Sequence, residues 1–456
     1  MFQTILRREL QEIGSSFTFL STLVVLTILV PLSAYIQARY YQRLGEDYDL
    51  RQSLHQSENN SQSIVLIRPI PPLAPFFNGA YDSLTDEFRL LNDSATANTP
   101  SGDVTPLERL VPKIDLSFII GVLMALLAIL LAHDTIAKDR EQGTLKLILA
   151  GSIQRRTVLA AKLTGVILPI TITLIYVVLL YTTVVIVFGG GLINLSVANL
   201  SVLAVLMLVA LISLILTASL SVAVSASVRR SSVSLFACAS IWIVITLIWP
   251  PFGPYIASSS KPISPSEAFS RNMISKEKEL IQAELAEHRK AAADLKAQQV
   301  RAEVAWQRYL ELRRRWIERR NEEIGRLVSA RKEQIRDQRV FARRISLFSP
   351  YVAFKEVLGS ICGTGLESYD EFLAAVERYR QQEFIPKGID LRSRQKPWLN
   401  VANPDDRLQL PPLQAPSPTL SERVEAAAWP LSILIAEMVI LMMLGFLSFE
   451  RYDVRV

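Results

Sequence analysis

Along most of the chain apolar and charged positions alternate, but in six places the charges drop out and the run stays apolar for about 17 residues or more, the length a helix needs to cross a bilayer. These runs cover residues 15–36, 116–133, 158–188, 197–228, 233–256 and 429–448. The first, FTFLSTLVVLTILVPLSAYI, follows Arg7 and Arg8. It is too long for a cleaved signal sequence and no small-x-small site follows, so it reads as an uncleaved anchor. The third and fourth runs exceed a bilayer's need, and tilt is expected of them. Gly121 and Gly165–Pro169 are the expected bend points in the second and third. The small residues of TASLSVAVSASV, ending the fourth, invite close helix packing. The pattern predicts a mainly α protein built on a six-span transmembrane bundle.

Basic residues flanking the short loops set the expected orientation. Arg7, Arg8, Arg155, Arg156, Arg229, Arg230 and Arg451 all fall on one side, which the positive-inside rule makes the cytoplasm. Both termini, including the tail 449–456, are then cytoplasmic. Residues 37–115, 189–196 and 257–428 are exterior, and a bacterial inner membrane makes them periplasmic. The last segment is rich in arginine, but long domains translocate regardless of charge.

The exterior segments differ in texture. The first carries IRPIPPLAPFFNGAYDSLTDEF, apolar enough for a small packed unit, followed by NDSATANTPSGDVTP, which reads as loop. The second opens on residues 266–345, dominated by strong helix formers, with no Pro or Gly from Ser266 to Ile324. Apolar pairs recur at helical spacing: Ile274 and Ile281, Leu285 and Ala292, Ile317 and Ile324, Val328 and Ile335. About 60 such residues extend roughly 90 Å if straight; a coiled coil and a helical hairpin are both allowed. Arg clusters in LRRRW and ERRNEE alternate with acids, as on a solvated helix face, and argue against nucleic acid as a partner. Further helices flank Gly363-Thr364. The Pro-rich QLPPLQAPSPTLSE reads as a linker, with Ser421 and Glu422 beginning the last helix.

Composition agrees with a membrane protein that has large aqueous parts: 456 residues, 50% hydrophobic, mean hydropathy +0.27, net charge +6. Cys238 lies in a span and Cys362 outside one, so no disulfide is expected. His55, His133 and His288 lack ligand spacing, and no metal or cofactor is expected on this chain. No Gly-Lys-Ser/Thr turn, Gly-x-Ser-x-Gly elbow or His-Glu-x-x-His pair occurs, so the chain does not read as an enzyme. Asp134, Asp139 and Glu141 sit at or beyond a span end. The spans are taken as free of charge, which disfavours a proton-driven carrier.

The connector 134–157 holds the chemistry of interest. Ile136–Gln142 should carry the second span onward as a polar helix, with Gly143 ending it and Thr144 capping a short helix over LKLILAG. Leu145, Leu147, Ile148 and Leu149 give that helix an apolar face, surrounded by Lys146, Arg155 and Arg156. Such a helix suits a groove on a soluble partner. Residues 1–14 form a second amphipathic helix, with Phe2, Ile5, Leu6, Leu10 and Ile13 on one face, suited to the lipid interface.

The stretch DREQGTLKLILAGSIQRRTVLAAK resembles the cytoplasmic loop of ABC-2 type transporter permeases. The matching positions are Arg140, Glu141, Gly143, Thr144, Leu145, Leu149, Arg155 and Lys162. A Pro common in the family is absent, with Ser152 nearest its place, and a common Gly is Ala161. The resemblance implies a coupling helix that docks on a separate ATP-binding subunit, with Arg140, Glu141, Gly143, Thr144, Leu145, Leu147, Leu149 and Arg155 as the coupling residues. It implies that ATP and Mg bind the partner ATPase dimer, that a second permease (the same chain or a sister) completes the membrane part, and that 1–14 is the elbow helix. Its fold would be an ABC-2, type V exporter-like bundle with a periplasmic domain containing a long helical or coiled-coil segment. The exterior segments look similar to the subgroup with large periplasmic insertions, related to nitrous-oxide-reductase maturation and gliding-motility permeases. Export driven by the ATPase is the expected function. The alternative is a subunit that relays ATP-driven motion to a periplasmic partner without moving cargo.

Overall fold

The computed structural model describes residues 2–58, 63–84, 86–91, 114–150, 154–190, 197–298, 301–387 and 410–451. The expected loop NDSATANTPSGDVTP, the expected coupling-loop residue Ser152 and most of the tail 449–456 lie outside them.

The chain folds as a helical bundle with a helical superstructure at one end. Helix α1 (Phe2–Gly14) leads into α2 (Phe17–Glu58). Strands β1 (Ser63–Ile67) and β2 (Glu87–Leu91) follow. Helix α3 combines Leu116–Phe118, a π-turn at Ile119–Met124 containing Gly121, and Ala125–Ala132. The connector carries α4 (Ala137–Glu141) and α5 (Thr144–Ala150). Then come α6 (Arg155–Phe188), α7 (Val197–Ser227) and α8 (Ser231–Ile243), the last extended by a π-turn at Val244–Ile248. Among the described residues, six helices are long and apolar enough to cross a membrane: α2, α3 with its continuation, α6, α7, α8 and the final helix α15 (Ala428–Glu450).

Small residues line the most extensive helix pairing in the bundle. Helices α7 and α15 run parallel, with Gly445 against Ala223 and the hydroxyls of Ser227 and Ser448 3.0 Å apart. Close backbone approach is what small residues permit where lipid offers no hydrophobic drive. The TASLSVAVSASV segment therefore packs within this chain. Helix α6 runs unbroken through Gly165 and Pro169, so the expected bend there does not break it. Gly165 serves a different need: a Cβ at that position would stand 2.8 Å from Cβ of Glu9 on α1.

At the far end, α2 continues as a helix well past residue 36, to Glu58. Its polar second half stands clear of the apolar window and meets the two-stranded antiparallel sheet, where Ile64 faces Leu90 and Leu66 faces Phe88. A lone hairpin is marginal in water. This one is backed by Phe372, Val376 and Phe384 of α13 (Leu366–Tyr379) and its trailing π-turn Arg380–Phe384. The two expected exterior segments thus share one core. The Pro-rich stretch is a strap across it: Leu410 and Leu413 pack there, and Tyr379 donates to the Pro411 carbonyl at 2.7 Å.

Helices α9 (Phe252–Ser260) and α10 (Ser266–Ala297) run antiparallel to α11 (Ala302–Ser346), forming a long arm. Leu280, Leu312, Trp316 and Ile324 make its core, while Ile317 is also buried. Half of the apolar stripe expected from the sequence faces outward instead, with Ile274, Ile281 and Leu285 exposed. Their places are taken by paired polar groups. Glu287 accepts from the Trp316 indole at 2.8 Å and Glu284 pairs with Arg320 at 3.2 Å, so acids can occupy the inner face without an unpaired charge. The arm is rooted by the Trp249 indole, which donates to the Ile345 carbonyl at 3.0 Å. Ser349 donates to the Ile245 carbonyl as it caps α12 (Pro350–Cys362). Gly363, at φ +72°, ends that helix. Thr419, not Ser421, starts the return through a capping box with Glu422 at α14 (Leu420–Ala426).

Candidate functional site

The candidate site is the connector between α3 and α6, and its conformation follows from a few local choices. Residues His133–Ile136 turn rather than continue α3, so the polar helix expected over Ile136–Gln142 begins one residue later and is separate. Ser225 of α7 stabilises that turn by accepting from the amides of Ile136 and Ala137 at 3.1 and 3.0 Å, two of the orphan donors of a helix start. Ser234 of α8 donates to the His133 carbonyl at 2.6 Å. Gly143, at φ +75°, takes the left-handed step that lets α4 reverse into α5. Thr144 does not cap α5. Its hydroxyl turns back to Asp139 Oδ1 at 2.7 Å and ties the two short helices together.

Helices α4, α6 and the amphipathic α1 meet at one buried cation. Lys162 is 2% exposed. Its ammonium contacts Glu9 Oε1 at 2.6 Å, Asp139 Oδ2 at 2.7 Å and the Thr135 carbonyl at 2.8 Å. Two hydrogen bonds, to Glu9 and the Thr135 carbonyl, and an ion pair with Asp139 compensate the buried ammonium. Arg8 approaches Asp139 from the solvent side at 3.8 Å, and Lys138 pairs with Glu12. Burial raises the Glu9 carboxyl above its ordinary value, and the opposing pull of Lys162 only partly offsets that.

The remaining connector residues reach outward to other elements. Arg140 donates to the Val228 carbonyl, at the end of α7, at 2.9 Å. Glu141 accepts from the Ser231 amide, at the start of α8, at 3.1 Å. Arg155 donates to the Glu450 carbonyl at 2.6 Å, and Arg156 pairs with the Glu450 carboxylate at the same distance. Four helices of the bundle, with α1, are therefore tied to one connector at the end where α1 begins and α15 stops. On α5, Leu145 is fully buried, Leu149 half-buried and Leu147 75% exposed.

A family model described as an ABC-2 family transporter protein matches residues 3–454, nearly the whole chain. The chain belongs to that family. No curated protein matches it in sequence. As an ABC-2 transporter protein it is a multi-pass membrane permease of an ABC transporter, a transport component and not itself catalytic. Membership implies an ABC ATP-binding partner.

In this ABC-2 permease the connector residues singled out from the sequence fall into two groups. Arg140, Glu141, Thr144 and Arg155 engage groups of the same chain, while Leu147 and Lys146 stay open to the surface. Glu141 thus has an internal partner in the Ser231 amide, beside its expected role toward a partner groove. Sequence reasoning did not assign roles to Glu9, Thr135, Ser225 or Glu450. Lys162 was matched, but its burial was not foreseen. Part of the signal was available: a lysine one turn inside an apolar span requires a carboxylate, and the connector acids Asp134, Asp139 and Glu141 were the nearest in sequence, whereas Glu9 is brought in only by the fold.

The expectation of charge-free spans is wrong on two counts. Lys162 lies within 158–188, and Glu437 sits midway along α15. Glu437 Oε2 is buried and makes no hydrogen bond among the described residues. An intramembrane carboxylate of this kind is costly and marks function more often than structure.

Proposed function

We propose that this permease is an exporter subunit whose connector couples it to a separate ATPase. The observation that carries the reading is the split character of α5: Leu145 is fully buried in the bundle while Leu147, two residues on, is 75% exposed. One face of the helix is anchored and the other is open for a groove. Force on α5 would pass through Thr144 and Asp139 to Lys162, and so to α6 and α1. Through Arg140 and Glu141 it would reach the junction of α7 and α8, and through Arg155 the end of α15. On this reading that end of the bundle, with both termini, is cytoplasmic in a bacterial inner membrane, and the arm is periplasmic. ATP and Mg belong to the ATPase dimer, and a second permease, identical or a sister chain, completes the assembly. Arg140, Glu141, Gly143, Thr144, Leu145, Leu149 and Arg155 shape the lever, and Leu147 touches the partner.

The experiment is copurification of the ATPase with Leu147→Asp protein in defined membranes. Loss of the ATPase with the permease still inserted supports docking through α5; undiminished copurification rejects it.

A second reading is favoured by the root of the arm. Trp249 and Ser349 bond it to the end of α8 and to α12, which packs on α7 and α15. Movement of the spans would swing the arm and act on a periplasmic partner without cargo crossing. Trimming residues 275–340 separates the two: an exporter that only needs its spans keeps moving cargo, whereas a transmitter loses its output while ATP turnover continues.

A further inference from the structure

Between α1, the first turn of α2 and the end of α3 lies a cavity of about 140 Å³. At roughly 30 Å³ per water, it has room for about four waters or one small organic headgroup. Four carboxylates line it, Glu9, Glu12, Asp134 and Asp139, against two ammonium groups, Lys138 and Lys162. Those two are taken up by Glu12, Glu9 and Asp139, with Arg8 beyond Asp139, which leaves Asp134 as the surplus negative charge on the wall.

The wall also offers acceptors. Thr135 is 6% exposed, lines the cavity, and its hydroxyl finds no hydrogen-bond partner among the described residues. An orphaned buried hydroxyl costs free energy unless something arrives to meet it. His133 Nδ1 faces the Leu130 carbonyl at 3.0 Å; a carbonyl only accepts, so Nδ1 carries the proton, and in the neutral ring Nε2 is the acceptor. A hydroxyl, an imidazole nitrogen and a carboxylate call for a cation with several N–H donors.

The position says what carries it. The cavity lies where α2 enters the apolar layer, beside Ser16 and Thr18. From there Phe17, Leu20 and Val24 run outward as an exposed apolar stripe, 85%, 49% and 59% accessible. A polar notch at the start of a lipid-facing stripe fits a molecule with an ammonium head and acyl chains. We propose that this cavity binds the primary ammonium headgroup of an aminophospholipid, wedged between the interfacial helix α1 and the connector. The inference rests on the membrane placement and not on ATPase docking, so each can fail alone.

The test uses the full chain in vesicles of phosphatidylethanolamine, its mono- and dimethyl derivatives or phosphatidylcholine, each with the same share of phosphatidylglycerol. Lipid retained after brief detergent exchange is read by native mass spectrometry. Retention should fall with each N-methylation, about tenfold between the ends of the series as charged hydrogen bonds are lost. Thr135→Val should reduce phosphatidylethanolamine to the phosphatidylcholine level, and Thr135→Ser should restore it. If Thr135→Val does not fold, Asp134→Asn provides the same reading. Equal retention across the series, or unchanged retention in the folded variants, overturns the proposal. So does displacement of the lipid by soluble glycerophosphoethanolamine, which would assign the cavity to a free amine.

Discussion

The ammonium of Lys162 stands 2.7 Å from the Asp139 carboxylate, joining α6 to the short helix α4 beneath the bundle, and neither group has bulk water around it. Glu9 closes the cluster from α1 at 2.6 Å. The interfacial helix, the connector and a span are thereby locked to one another by buried, mutually paired charges.

Removing the cation should therefore cost far more than a surface ion pair. Lys162→Met deprives the buried Glu9 and Asp139 of their shared ammonium, an expected loss of about 3–5 kcal/mol. Thermal unfolding of the solubilised protein should show it. A shift no larger than that of Arg156→Met, whose pair is exposed, would refute the burial argument.

Glu9 gives the cluster a pH signature. Its folded pKa is raised above the ordinary 4.5, so the folded state holds the proton more tightly than the unfolded one. Its contribution to stability is greatest at or below the ordinary value and declines as pH rises through the raised one. Glu9→Gln should remove that decline. Unfolding midpoints from about pH 4 to about pH 7 should converge between wild type and variant at the acid end relative to neutral pH; a constant offset would contradict the assignment.

Leu145 and Leu147 should separate structure from docking. Leu145→Ala opens a cavity in the bundle and should cost about 2–5 kcal/mol. Leu147→Ala should change stability by less than about 0.5 kcal/mol, as for other exposed side chains. Paired denaturation and ATPase-pulldown measurements on both variants check this. Equal destabilisation would mean that Leu147 is not free.

Glu437 should act as a stability liability. Replacing a half-buried carboxylate that has no hydrogen-bonded partner among the described residues by Leu is expected to raise the unfolding temperature. If Glu437→Leu instead lowers it, the carboxylate has a partner in the assembled transporter.

In the arm, Trp316 is 5% exposed and its indole is held by Glu287. Trp316→Ala should cost about 3–5 kcal/mol locally. Proteolysis should then cut α10 and α11 with α2 to α8 left intact; uniform cleavage throughout the chain would show that the arm is not a separate unit of packing.

The six apolar runs, the helical connector with its glycine step and the helix-forming arm were legible in the chain because each depends on local quantities: hydropathy over a bilayer's thickness, backbone preference and helix propensity. Glu437 was legible too and was overlooked, since a single acid barely moves a window average. What the chain left open depends on residues far apart in sequence. Which face of α10 turns inward was decided by Trp316 and Arg320 on α11, since an acid with a partner can displace an isoleucine without one. The shared core of the strands and α13, the role of Gly165 beneath Glu9, and the meeting of Glu9, Asp139 and Lys162 likewise follow from packing. A buried charge is tolerable only where its counter-charges converge, and that convergence exists only once the helices have assembled.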